Sequence, residues 1–154
     1  MLKLGDINLD VPFYQAPLSG YTDRAMRVLA HEYGAPLTYT GVILAKIVLH
    51  KKAFNKLFFQ PRVDEGLVGA QILGGDPEIM AEAAAAFLNV GFNLIDLNFA
   101  CPAPKVLRRH SGGYLLKDPE TAIEILRSVR NTVSCPVTIK LRAGFDKSQE
   151  SIDK

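Results

Sequence analysis

Short apolar runs alternate with longer amphipathic segments along most of the chain, so that strands and helices are predicted to follow one another in turn. Val11 to Leu18 predicts a first strand, and Ala16-Pro17-Leu18-Ser19-Gly20 ends it in a tight loop with exposed backbone. Thr22 or Asp23 can then cap a helix carrying Met26, Leu29, Ala30 and Tyr33 on one face, with Gly34 as its stop. Leu37 to Val42 predicts a second strand. The weakly patterned helical stretch after it bears Lys46, His50, Lys51, Lys52 and Lys56, a cationic set that suits a solvated face or a phosphate-contacting one. Leu67 to Ile72 predicts a third strand, and Asp76-Pro77 opens a helix with Met80, Ala83, Ala84, Phe87 and Leu88 in helical period before Gly91. Phe92 to Asn98 is a fourth strand. Asp118-Pro119 repeats the cap and proline start ahead of Ile125, Leu126, Val129 and Val133, and Val137 to Leu141 is a fifth strand.

Such alternation with short connections predicts an α/β fold of parallel strands joined by right-handed crossovers. No Gly-x-Gly-x-x-Gly fingerprint follows the first strand, which removes the best support for a dinucleotide-binding doubly wound sheet. Pro17, Gln71, Asn98, Cys101 and Lys140 fall at or beside strand C-terminal ends, and a (β/α)8 TIM barrel would gather them on one rim. A complete barrel takes roughly 250 residues. The 154 residues here supply about four βα units and the fifth strand, so residues 1–154 are expected to form the N-terminal portion of a larger barrel domain, or to need association for stability.

Composition narrows the class without naming a partner. With 48% hydrophobic and 22% charged residues the chain is globular, and a net charge of +2 permits contact with nucleic acid without arguing for it. Cys101 and Cys135 provide neither a disulfide framework nor metal-ligand spacing, so no metal is expected and a reducing cytoplasm is the natural compartment. The N-terminus lacks the apolar core of a signal peptide, and Lys46 interrupts the apolar run from Val42 to Leu49, so no membrane association is expected.

The chemistry concentrates at Phe92 to Pro102. A buried strand ends there in Asn98 and Cys101, and Pro102 and Pro104 keep the chain from continuing as regular structure, so that Cys101 reads as a presented thiol or, alternatively, as a small apolar residue closing the strand. An ordinary thiol, with a pKa of about 8.5, is mostly protonated at neutral pH and suits a general acid. Cys135 is read as structural.

Four segments now stand in order: Ala16-Pro17-Leu18-Ser19-Gly20-Tyr21-Thr22-Asp23, Gln71-Ile72-Leu73-Gly74, Asp96-Leu97-Asn98-Phe99-Ala100-Cys101-Pro102 and Thr138-Ile139-Lys140-Leu141-Arg142-Ala143-Gly144. With Gly112 to Pro119 between the last two, the chain resembles the tRNA-dihydrouridine synthases in register over nearly its whole length. The resemblance implies an FMN-dependent TIM-barrel enzyme that reduces the C5=C6 bond of a uracil in tRNA, with NADPH as reductant. It implies Cys101 as proton donor to C5, Pro17, Leu18 and Ser19 as the first flavin loop, Gln71 at the pyrimidine edge of the ring, and Lys140 as the cation near its N1. Asn98 is expected to position uracil or the cysteine loop, and Arg108 and Arg109 to meet tRNA phosphates or form a solvated turn. The pattern departs from the family at Gly41, Ala100 and Phe145. Loops that hold the FMN phosphate and a C-terminal tRNA-holding domain would lie beyond Lys154, so the isolated chain is expected to be inactive and colourless. An FMN barrel oxidoreductase of a free pyrimidine or enone, and a non-catalytic RNA-binding relative, are the alternatives.

Overall fold

The computed structural model describes residues 1–50, 52, 60–146 and 148. Its centre is a parallel sheet in the order β3-β5-β6-β7, where β3 is Leu37–Tyr39, β5 is Leu67–Leu73, β6 is Leu94–Asn98 and β7 is Val137–Lys140. The two-residue β4, Ile43–Leu44, pairs with the C-terminal end of β5 on the same side as β3. Helix α1 spans Arg24–Glu32, α2 Ala45–Val48, α3 Pro77–Asn89, α4 Pro104–Leu107 and α5 Pro119–Thr132. The fold is therefore α/β with a parallel sheet. The sheet does not close: β3 and β4 lie along one edge and β7 forms the other.

Capping chemistry sets the helix starts. Asp23, Asp76 and Asp118 each accept a hydrogen bond from the backbone N–H three residues on, and proline occupies the first turn of α3 and α5. The outer sheet face presents Val68, Ala70, Ile72, Ile95 and Leu97 to Met80, Ala83, Ala84 and Phe87 of α3 and to Ile125 and Val129 of α5. Small alanines let α3 approach the sheet closely, and Phe87 meets Phe92 edge to face at 5.0 Å between ring centroids.

Four features differ from the sequence reading, the first being that Pro104 does not halt regular structure but occupies the first turn of α4. Val11 to Leu18 is not a strand: Pro12 and Pro17 have no N–H to give a ladder, and the stretch is tied to β3 by Gln15, whose N–H donates to Leu37 O and whose Oε1 accepts from the Tyr39 N–H. Helix α1 does not bury the expected apolar face. Leu29 and Tyr33 are exposed, and the buried residue is Arg27, whose Nε lies 2.7 Å from Glu65 Oε2. An unanticipated antiparallel hairpin, β1 (Leu2–Leu4) and β2 (Ile7–Leu9), turns at Gly5-Asp6 and packs Leu9 with Leu37, Tyr39 and Leu94. Its alternating Leu2, Leu4, Ile7 and Leu9 covers the N-terminal half of the inner face. Of the cationic stretch, Lys46 and His50 are exposed, while Lys51 and Lys56 lie outside the described residues. Among the described residues no helix is long and apolar enough to cross a membrane, and no group of three His, Cys, Asp or Glu side chains could hold a metal ion.

Candidate active site

Strand register assembles the site. Gln71 pairs with Asp96 and Asp96 with Thr138, while Asn98 pairs with Lys140 one step nearer the C-terminal rim. Because side chains alternate along a strand, all five lie on the inner face. Lys140 and the loop bearing Cys101 therefore leave the sheet on the same rim.

A continuous set of hydrogen bonds joins these groups. The Thr138 hydroxyl donates to Asp96 Oδ1 at 2.6 Å, and Gln71 Nε2 donates to Asp96 Oδ2 at 2.6 Å. Asn98 Nδ2 donates to Gln71 Oε1 at 2.9 Å, and Asn98 Oδ1 accepts from the Cys101 N–H at 2.9 Å and the Ala100 N–H at 3.1 Å. From the other side, the Gly113 N–H donates to Cys101 O at 3.0 Å. The cysteine backbone is thus gripped at both its N–H and its C=O. Burial, above all, raises the Asp96 carboxyl above the ordinary carboxylate value, against the donors of Gln71 and Thr138 and the charge of Lys140. Burial, followed by the charge of Asp96, likewise pushes the Tyr39 phenol up, and burial raises the Cys135 thiol.

Cys101 also lines a cavity of about 700 Å³ with Ser19, Thr22, Gly41, Val106 and Ser111, and Lys105 and Arg109 stand on the same wall. That volume suits a small molecule or one nucleotide base. The loop holding Pro17, Leu18 and Ser19 is tightened where the Leu18 N–H donates to Thr22 Oγ1 at 2.9 Å and the Thr22 hydroxyl donates back to Leu18 O at 2.9 Å. A Cβ at residue 41 would stand 3.0 Å from Leu18 O and press on this loop, so the glycine there goes with its close approach to the β3 end.

The structure thus brings Cys101, Asn98, Gln71 and Lys140 onto one rim, with Ser19 and Arg109 on the cavity. Arg108 is exposed on the same helical turn but does not line the cavity. Gln71 is less available than a ligand-facing amide, because both its ends are occupied within the sheet. Sequence reasoning missed Asp96, Thr138 and Lys105. A signal for Asp96 was present: it is the one charged residue in Leu94–Asn98 and stands two positions before Asn98, hence on the same face.

A parallel α/β sheet with a thiol, a carboxyl–amide network and an ammonium at one strand-end rim defines an enzyme-like site of the kind that α/β folds build outside the carboxyl ends of their strands. Comparison with known proteins specifies the family. The model described as "Dihydrouridine synthase (Dus)" matches residues 14–153, and the chain belongs to the dihydrouridine synthase family. The tRNA-dihydrouridine synthase B of Vibrio cholerae serotype O1 is 35% identical over 150 residues, which is 97% of this chain and 47% of that protein. That of Pseudomonas aeruginosa is 32% identical over 151 residues, covering 98% and 46%. A probable tRNA-dihydrouridine synthase of Rickettsia conorii is 35% identical over 153 residues, covering 98% and 46%. The chain therefore spans about half the length of the curated relatives it matches. The fold is shared with histamine dehydrogenase from Rhizobium sp. 4-9, at a TM-score of 0.61 and 16% identity over 91% of this chain and 33% of that one.

Proposed function

We propose that the protein to which this chain contributes reduces the C5=C6 bond of a uridine in tRNA to 5,6-dihydrouridine, in the cytoplasm, on a (β/α)8 barrel of which residues 1–154 form the first part. The observation that carries this reading is the position of Cys101, held at N–H and C=O beside a cavity of about 700 Å³, in a chain matched to the family over residues 14–153.

The residues present fit a flavin on the inner-face rim. Lys140 offers an exposed cation at the end of β7, the Pro17 to Ser19 loop brings Ser19 to the cavity that Cys101 lines, and Gln71 retains one N–H and one lone pair beyond its two internal bonds. FMN bound there supplies the hydride for C6, with NADPH as the reductant of the flavin. Cys101 gives its thiol proton to C5 and recovers it from solvent, acting as a general acid. Asn98 fixes the sulfur by holding the backbone of its own loop. Lys140 would hold positive charge beside a flavin bound at the rim, where it would favour the anionic reduced form, and the Asp96 carboxyl lies one register step beneath it. Lys105 and Arg109 meet phosphates flanking the uridine that enters the cavity, with Arg108 contributing from the adjacent turn.

The test is mass spectrometry of nucleosides from unmodified tRNA incubated with the full-length protein, FMN and NADPH. Dihydrouridine is expected with the natural protein, at a rate lower by about 10²–10⁴ for Cys101→Ala. An unchanged rate for that variant would remove the proton-donor assignment, and reduction of a free pyrimidine but not of tRNA would reassign the substrate.

A further inference from the structure

The inner-face hydrogen bonds have a direction. Gln71 and Asn98 each end in a primary amide, whose oxygen and nitrogen are nearly equal in size but opposite in role, so shape alone does not decide which way either points. Both are buried, at 1% and 8% exposure, and each has its amide between two partners. A carboxylate, by contrast, can only accept. Asp96 receives the Thr138 hydroxyl on one oxygen and Gln71 Nε2 on the other, which leaves Gln71 Oε1 facing Asn98. Asn98 must then turn its NH₂ to Gln71 and its oxygen to the Ala100 and Cys101 N–H groups. Reversing Asn98 would set donor against donor at the cysteine loop and cost both of those bonds, and reversing Gln71 alone would set acceptor against acceptor at Asp96 and donor against donor at Asn98.

We propose that Asp96 is a positioning residue for Cys101: its acceptor-only oxygens orient the Gln71 amide, Gln71 orients Asn98, and Asn98 thereby presents an oxygen to the cysteine backbone. Lys140, in register with Asn98 on the same face, supplies the positive charge that accompanies the carboxylate. The relay spans three strands, so it couples the sulfur's position to the pairing of β5, β6 and β7. Its purpose rests on the reading of Cys101 as proton donor, but its geometry can be tested without any reaction.

The experiment is the alkylation rate of Cys101 by iodoacetamide in the full-length protein, read by mass spectrometry of the Cys101 peptide, with thermal unfolding measured alongside. Gln71→Glu sets two carboxylates against each other and should free the loop, raising the rate about tenfold or more. Asp96→Asn alone lets the network adopt either direction and should raise it severalfold. The two changes together exchange donor and acceptor across the 71–96 contact. Residue 71 then offers only acceptors to Asn98, so the rate should return to within about threefold of the natural protein. If Asp96 merely filled space, the double variant would react at least as fast as the faster single one, and that result overturns the proposal. Should Gln71→Glu not fold, Asn98→Asp provides an equivalent pair: alone it should react fast, and Asp96→Asn should restore it by reversing Gln71. Failure of that restoration overturns the proposal equally. Dihydrouridine formation by the same proteins separates the two readings, since restored alkylation kinetics with an activity indifferent to Cys101 would count against the proton-donor assignment alone.

Discussion

Gly112 offers a direct test of how closely the cysteine loop is packed. Its φ is +60°, and an added Cβ would stand 2.8 Å from Val106 Cγ1, 3.0 Å from Cys101 O and 3.1 Å from Cys101 Cβ. Gly34 has a φ of +91° but nothing within 4 Å of the same position. Alanine at either site bears the left-handed backbone cost, about 1–2 kcal/mol. Only at residue 112 does overpacking add to it, by about 1–3 kcal/mol. Gly34→Ala should therefore lose about 1–2 kcal/mol of stability with turnover unchanged, and Gly112→Ala about 2–5 kcal/mol in sum. Because two of the three atoms met at residue 112 belong to Cys101, kcat should fall at least tenfold for Gly112→Ala while KM for tRNA changes less. Urea unfolding and single-turnover dihydrouridine formation on the full-length variants provide both readouts. Equal stabilities for the two variants, or a Gly112→Ala enzyme with full kcat, would refute the argument that the loop has no room to shift.

Glu65 is fully buried and accepts from Arg27 Nε at 2.7 Å, Arg24 Nε at 3.2 Å and the Arg62 N–H at 3.1 Å. Glu65→Ala strands the Arg27 charge, whose Nη atoms have no hydrogen-bond partner among the described residues, and should cost about 3–5 kcal/mol in urea unfolding. Arg27→Met with Glu65→Leu should recover most of that loss. Lys105→Ala and Arg109→Ala should each weaken tRNA binding for every sequence and flatten the log Kd against log salt slope by about 1 per phosphate contact removed, measured by filter binding. The Asp96 carboxyl is raised in the folded protein, so its favourable contribution is complete below the unfolded value and is lost as pH rises through the raised one. Asp96→Asn should accordingly be more stable than the natural protein at neutral pH, with the advantage disappearing on acidification, as paired urea titrations across that range will read.

The strand and helix order was legible wherever local chemistry and the hydrophobic period agreed. Asp76-Pro77 and Asp118-Pro119 mark helix starts that the structure reproduces, and Leu67–Leu73 stands almost where its apolar run places it. Val11 to Leu18 misled because apolar content says nothing about where hydrogen bonds come from, and here a glutamine side chain does the work of a ladder. Helix α1 misled because a buried ion pair replaces an apolar seam, and no periodicity count rewards a buried arginine. At the site, the residues that end strands were visible one by one in the sequence. Their connection was not, since Gln71, Asp96 and Thr138 meet only through the register of three strands separated by two crossover helices. Lys105 was hidden for a different reason: a four-residue helix gives no amphipathic pattern to read.

The hairpin formed by Leu2–Leu4 and Ile7–Leu9 lies over the inner face at the N-terminal ends of the strands. With that end covered, the C-terminal rim that carries Cys101 and Lys140 is the end of the face turned toward a guest molecule. Stability and access are thus divided along each strand: its first residues rest on an apolar floor, and its last residues meet whatever arrives.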